Sequence, residues 1–105
     1  MGKMITEMEN KNKVAVRSEL VAPPQFKIIF LNDDVTTVDF VLTTLISFFN
    51  YDVEGAKAIA LQIHDDGAAT VAVLPFELAE QKAVEVTASA RNNGFPLNIK
   101  LEPSS

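Results

Sequence analysis

The stretch FKIIFLNDDVTTVDFV, Phe26 to Val41, changes its periodicity halfway along. Phe26–Leu31 is short, rich in Ile and Phe, and bounded by turn residues, which predicts a strand. From Val38 onward apolar residues stand at 38, 41, 42, 45, 46, 48 and 49, the spacing of one wide apolar helix face. Between strand and helix lie Asn32, Asp33 and Asp34, with Val35, Thr36 and Thr37 behind them. A turn needs one Asn or Asp to bond its own backbone, and a helix start needs one capping oxygen, here from Asp34 or Thr36. Carboxylates near a helix N-terminus add roughly 0.3–1 kcal/mol each. These roles employ one or two of the polar residues and leave the others over.

Working outward, Asn50 ends the first helix and Asp52 caps a second, with Val53, Ala56, Ile59, Ala60 and Ile63 on its buried face. The HDDG segment, His64–Gly67, stops that helix, with Gly67 as a left-handed cap. Ala69–Leu74 is a second apolar, β-branched strand, and Pro75 suits the first turn of a third helix. The inner face of that helix is Ala79, Ala83, Val86 and Ala90, and RNNG closes it. Leu97, Ile99 and Leu101 alternate with Asn98, Lys100 and Glu102, a strand with one wet face. The order β-α-α-β-α-β predicts an α+β fold, with three helices packed on one face of a three-stranded sheet. One solvated face favours antiparallel pairing.

A chain of 105 residues makes one small domain. Residues 1–25 mix charge, Asn and isolated apolar residues without a period and contain Pro23-Pro24, so they read as a flexible arm before a core domain over 26–105. The arm has charge +1 and the remainder −6. An acidic body argues against binding a nucleic-acid backbone and suits a partner carrying positive charge. Cysteine is absent, which removes disulfides, zinc-thiolate sites and thiol nucleophiles and fits a reducing compartment. No apolar run reaches the ~18–20 residues of a membrane span, and the start has no signal-peptide core. The start MGKMIT matches the short myristoylation pattern, which occurs widely by chance.

His64, the single histidine, comes at the end of the second helix. Antiparallel packing of the first two helices returns it to the NDD turn. The resulting cluster has three readings: an acid/base pair of Asp34 and His64, a metal site using Asp33, Asp34 and His64, or a recess for a cationic group. The first lacks a nucleophile with a partner, and the second lacks a recurring ligand spacing. The third needs only acceptors around an apolar pocket, and Val38, Val41, Ile63 and Leu97 are available to line one. Charge-assisted hydrogen bonds in such a recess contribute roughly 1.5–3 kcal/mol each.

Taken together, FKIIFLNDDVTTVDFV, SFFNYD, QIHDDG, ELAEQK and FPLNIKLE resemble the ClpS family, adaptors that deliver N-end-rule substrates to a Clp ATPase–protease; the resemblance runs in unbroken order over about residues 25–103. It implies a non-enzymatic adaptor without cofactor or metal. It also implies a monomer that binds neither nucleic acid nor membrane and works in the cytoplasm, or in the plastid stroma of a plant or alga. A substrate's free α-amino group would be held by Asn32, Asp34 and His64, with Asp33 shaping the turn and the local negative field. The bulky N-terminal side chain (Leu, Phe, Tyr or Trp) would enter a pocket of Thr36, Val38, Val41, Ile63 and Leu97. Glu77 and Lys82 would dock the N-terminal domain of a ClpA- or ClpC-type ATPase, and the arm would serve handover of the substrate.

Three positions depart from the family pattern. Val35 replaces an aromatic residue, Thr37 a Pro, and Val38 the Met that gates the pocket. The alternative is an interaction domain of the ribosomal-stalk type, which resembles this element order. Such domains present a basic helix, whereas this body is acidic.

Overall fold

Strand β1 (Gln25–Leu31) is the middle strand of the sheet, in the computed structural model that describes residues 22–104. Its neighbours are β2 (Ala68–Pro75) and β3 (Asn98–Pro103), both antiparallel to it, in the order β2-β1-β3. The helices α1 (Val38–Phe49), α2 (Val53–Asp66) and α3 (Phe76–Asn92) complete the predicted β-α-α-β-α-β order. The MGKMIT start and the arm up to residue 21 lie outside the described residues.

Side chains alternate across a strand, so Phe26, Ile28 and Phe30 of β1 share the face that meets the helices. Ile28 and Phe30 are wholly buried and join Leu45 of α1, Ile63 of α2, and Ala79, Val86 and Ala90 of α3 in one core. On the opposite face Lys27 pairs with Glu102 and Ile29 with Lys100. That mixed face explains why pairing is antiparallel with only one side covered.

Strand β2 reads as a continuous apolar run because its register slips. Ile28 pairs with Ala72 but Ile29 pairs with Thr70, leaving Val71 as an extra residue. The bulge shifts the alternation by one, so Ala69 and Val71 before it and Ala72 and Leu74 after it can all face the helices. The Tyr51 hydroxyl donates to the Val71 carbonyl at 2.6 Å, and burial pushes its pKa up. The loop between α1 and α2 is therefore tied to the bulge.

Helix ends follow the expected chemistry with three corrections. The cap of α1 is Thr37, not Asp34 or Thr36: it is extended (φ −78, ψ 153), and its hydroxyl oxygen accepts from the Phe40 N–H at 3.1 Å. Thr36 is unavailable because it bonds Asp33. Pro75 remains the last residue of β2 and stands at the N-cap of α3, one position before the expected first turn. Val53, expected on the buried face of α2, is 53% exposed: as the helix's first residue it lies beyond Ala56, where burial on that face begins. As expected, Asn50 (φ 59) and Gly67 (φ 86) end α1 and α2 in the left-handed region, and the Asp52 carboxylate caps α2 through the Gly55 N–H at 2.7 Å.

Tyr51→Phe tests the tie to the bulge. It leaves the Val71 carbonyl without its side-chain donor at a part-buried site, a loss of about 1–2 kcal/mol. Thermal unfolding followed by circular dichroism should show a midpoint lower by roughly 4–8 °C per kcal/mol for a domain of this size. An unchanged midpoint would mean the hydroxyl contributes nothing.

Candidate functional site

The last residue of β1 pairs with the first of β2, Leu31 with Ala68. One step further, the Asn32 N–H donates to the Gly67 carbonyl at 2.9 Å, and the Gly67 N–H donates to the Ile63 carbonyl at 3.0 Å. These two bonds fasten the NDD turn to the C-terminal end of α2. A recess of about 290 Å³ opens between them, lined by Asn32, Asp33, Asp34, Thr36, Val38, Val41, Ala60, Ile63 and His64. Its floor is apolar, with Val41 7% and Ile63 4% exposed. Its rim carries the turn and His64.

Within the turn the polar residues divide their work. One carboxylate oxygen of Asp33 accepts from the Val35 N–H at 2.8 Å and the Thr36 N–H at 2.7 Å; the other accepts from the Thr36 hydroxyl at 2.7 Å. Partial burial opposes ionisation of Asp33, but these bonds outweigh it, aided by the charge of Arg91, and hold its carboxyl below the ordinary 3.8. Asn32 and Asp34 are exposed and, like His64, make no side-chain hydrogen bond to another described residue. The ion pairs among described residues are Lys57–Glu54 and Lys100–Glu102, so Asp34 and His64 are not paired with each other. Asp33 builds the turn, and the other three acceptors are left facing outward at the rim. Asn32 and Asp34 are thus the turn residues that neither the turn nor the helix cap employs.

Of the predicted site residues, Asn32, Asp33, Asp34, Thr36, Val38, Val41, Ile63 and His64 come together at this recess. Leu97 does not line it: it is 1% exposed and lies in the core, immediately before β3. Ala60 was missed and does line it. Helical spacing held the signal, since residues three and four apart share a face and Ala60 precedes Ile63 and His64 by those steps. Glu77 is exposed in the first turn of α3, and the Lys82 ammonium lies 5.9 Å from the centre of the Phe49 ring. Val38 and Val41 line the recess and Phe49 is the last residue of α1, so Lys82 sits by the far end of that helix, about 12 Å of axial rise beyond Val41. Among the described residues no group of three His, Asp or Glu side chains is arranged to hold a metal ion, and no helix is long and apolar enough to cross a membrane.

Residues 21–100 match the family profile described as ATP-dependent Clp protease adaptor protein ClpS. The chain belongs to the ClpS family. The curated ATP-dependent Clp protease adapter protein ClpS of Nitrosospira multiformis is 44% identical over 88 residues, covering 84% of this chain and 86% of that protein. Its counterpart of the same name in Sodalis glossinidius is 38% identical over 104 residues, covering 97% and 98%. Among solved structures, Agrobacterium tumefaciens ClpS2 bound to L-phenylalaninamide superposes with a TM-score of 0.76 at 34% identity, covering 79% of this chain and 100% of that one. ClpS-family membership makes this protein an adaptor of the Clp protease, and the three-helix, three-stranded architecture is the one its sequence predicted.

Asp33→Ala deletes all three bonds that shape the turn and should lower stability by roughly 1–2 kcal/mol at neutral pH. Because the folded-state pKa is depressed, the ionic part of this contribution is complete above 3.8 and is lost as pH falls through the lower folded value. Denaturant titrations of both proteins between pH 7 and pH 2 should show the deficit narrowing in acid. A deficit that widened there would assign Asp33 a different role.

Proposed function

We propose that this adaptor recognises proteins by a bulky hydrophobic N-terminal residue (Leu, Phe, Tyr or Trp) carrying a free α-amino group, and hands them to a Clp ATPase–protease. The observation that carries the reading is one recess that joins an apolar floor to three acceptors, Asn32, Asp34 and His64, whose side chains bond no other described residue. An N-terminal ammonium differs from a lysine in having its charge beside the backbone, next to the first side chain. Recognising it requires acceptors at the rim and apolar surface immediately below. L-phenylalaninamide, the ligand of the Agrobacterium relative, combines a free α-amino group, a phenyl ring and an amide in place of the carboxylate. It is the chemical outline of a chain that begins with Phe.

The three ammonium N–H groups donate to the Asn32 side-chain oxygen, the Asp34 carboxylate and a ring nitrogen of His64. Water replaced at the rim is water that hydrated exposed groups, so each acceptor exchanges one partner for another and the charge on Asp34 supplies the net gain. The first side chain enters between Val41 and Ile63 beneath Thr36 and Val38, and full burial of a Leu or Phe contributes roughly 1.5–3 kcal/mol. Glu77 and Lys82 on α3 face the N-terminal domain of a ClpA- or ClpC-type ATPase. Their distance from the recess lets one monomer hold substrate and ATPase together. Residues 1–24, since Gln25 already belongs to β1, act as an arm in handover, and the protein itself turns over nothing.

Fluorescence anisotropy with short peptides tests the recess. A Phe-initiated peptide should bind, and N-acetylating it should weaken binding at least about tenfold, or about 1.4 kcal/mol. Equal binding of free and acetylated peptide would sink the reading. Glu77→Ala and Lys82→Ala should leave this affinity unchanged while weakening capture of the purified ATPase N-terminal domain. Deleting residues 1–20 should spare both and abolish degradation of a Phe-initiated reporter.

Val38 stands at the mouth, 61% exposed. It is stiff at χ1 and cannot swing across the opening as Met does. Phe, Tyr, Trp and Leu should bind, while N-terminal Ile and Val are excluded less strongly than with Met at that position, since one methyl group discriminates by only about 1–3 kcal/mol. Competition between Leu- and Ile-initiated peptides on native protein and on Val38→Met checks this. A Leu-to-Ile ratio that is the same for both proteins would show that Val38 is not a gate.

A further inference from the structure

Beside the recess lies a second hollow of about 310 Å³, lined by Val38, Leu42, Lys57, Ala60, Leu61 and His64. Val38, Ala60 and His64 line both hollows, so the two adjoin at these side chains. The second one follows the seam between α1 and α2. Val38 is 61% and Leu61 60% exposed, large apolar side chains on facing helices with nothing over them among the described residues. Apart from Lys57 and His64 its lining is apolar, in contrast to the acceptor-rich rim next door.

We propose that this hollow receives the side chain of the third residue of a bound chain, and that an apolar side chain there strengthens binding. The inference rests on the recess being the site for the first residue. With the ammonium held by Asn32, Asp34 and His64, a chain that leaves over Val38, which lines both hollows, comes next to the second one. Val38 borders the recess and is exposed, and the second hollow begins beyond it. In an extended peptide successive side chains point to opposite faces, so residues 1 and 3 face the protein while residue 2 faces water. Residue 3 lies about 6.8 Å beyond residue 1, the span needed to step over one valine side chain.

The occupant follows from the lining. Leu42, Ala60, Leu61 and the outer side of Val38 favour Leu, Met or Phe. Lys57, whose ammonium is 3.8 Å from Glu54 with both side chains largely exposed, stands at the edge and disfavours Lys or Arg. Neither feature bears on residue 2.

The experiment uses Phe-initiated peptides with Leu, Ser or Lys placed in turn at positions 2 and 3, with a Ser-initiated counterpart as control, read by anisotropy on the full chain and on Leu61→Ser. Leu61 is exposed, and circular dichroism verifies that the variant is folded. Leu at position 3 should bind about five- to tenfold more tightly than Ser there, or about 1–1.4 kcal/mol, with Lys weakest. Position 2 should change little. In Leu61→Ser the position-3 ratio should collapse towards one, while the ratio of Phe to Ser at position 1 is kept. A flat response at position 3 with first-residue dependence intact overturns this inference alone. A preference at position 2, or a position-3 preference surviving in Leu61→Ser, overturns it as well. Binding that ignores the first residue removes the parent reading and this one together.

Discussion

The hydrogen bond from the Asn32 N–H to the Gly67 carbonyl, 2.9 Å, joins two parts of the chain that sequence separates by 35 positions. It extends the β1–β2 ladder by one step beyond Leu31 and Ala68. Gly67 can accept it because its φ of 86 turns the chain sharply out of α2, a conformation that other residues adopt at a cost. The Gly67 N–H closes the same helix on Ile63. One residue thus ends α2, begins the return into β2 and anchors the turn that carries the acceptors. The recess exists because these events coincide.

Around that anchor the turn is pre-organised. Asp33 directs both carboxylate oxygens at Val35 and Thr36, and Thr37 turns its hydroxyl oxygen to the start of α1. With the local donors satisfied, Asn32 and Asp34 stay exposed, and their side chains bond no other described residue. A rim already held in place by its own hydrogen bonds has little conformational entropy left to lose when a cation arrives. The Thr37 side chain caps α1 and fixes where the helix begins.

Helix α1 sets the distance between the two proposed contact surfaces. Its first residue borders the recess, and its last packs against Phe30, with ring centroids 5.9 Å apart, and carries Lys82 above it. Phe30 is wholly buried at the centre of the sheet, so the α3 surface and the recess are fixed to the same core strand. The two proposed contact surfaces are therefore carried by one core, so the proposed contacts to a substrate's first residue and to an ATPase domain need no change of shape linking them. The open sheet face, with Lys27, Lys100 and Glu102, takes part in neither surface.

Local chemistry determined the order of elements. FKIIFL has strand composition, the spacing from Val38 to Phe49 is helical, and Asp52, Asn50 and Gly67 cap where their side chains or lack of one dictate. Each of these depends on neighbours within four residues, so each is legible in sequence. The resemblance of the NDD turn, His64 and the third-helix residues to a family supplied what periodicity does not, a reason for the excess acceptors. Other features needed the folded chain. Which threonine caps α1 was settled by Asp33 taking Thr36. The apolar run of β2 conceals a bulge visible only from its pairing with β1, and Leu97 falls in the core rather than in the recess, where Ala60 stands instead. That Asn32, Asp34 and His64 border one cavity follows from a backbone bond between residues 32 and 67. A contact between distant positions leaves no periodic trace in sequence, because it is set by how the helices and strands pack and not by the residues beside it.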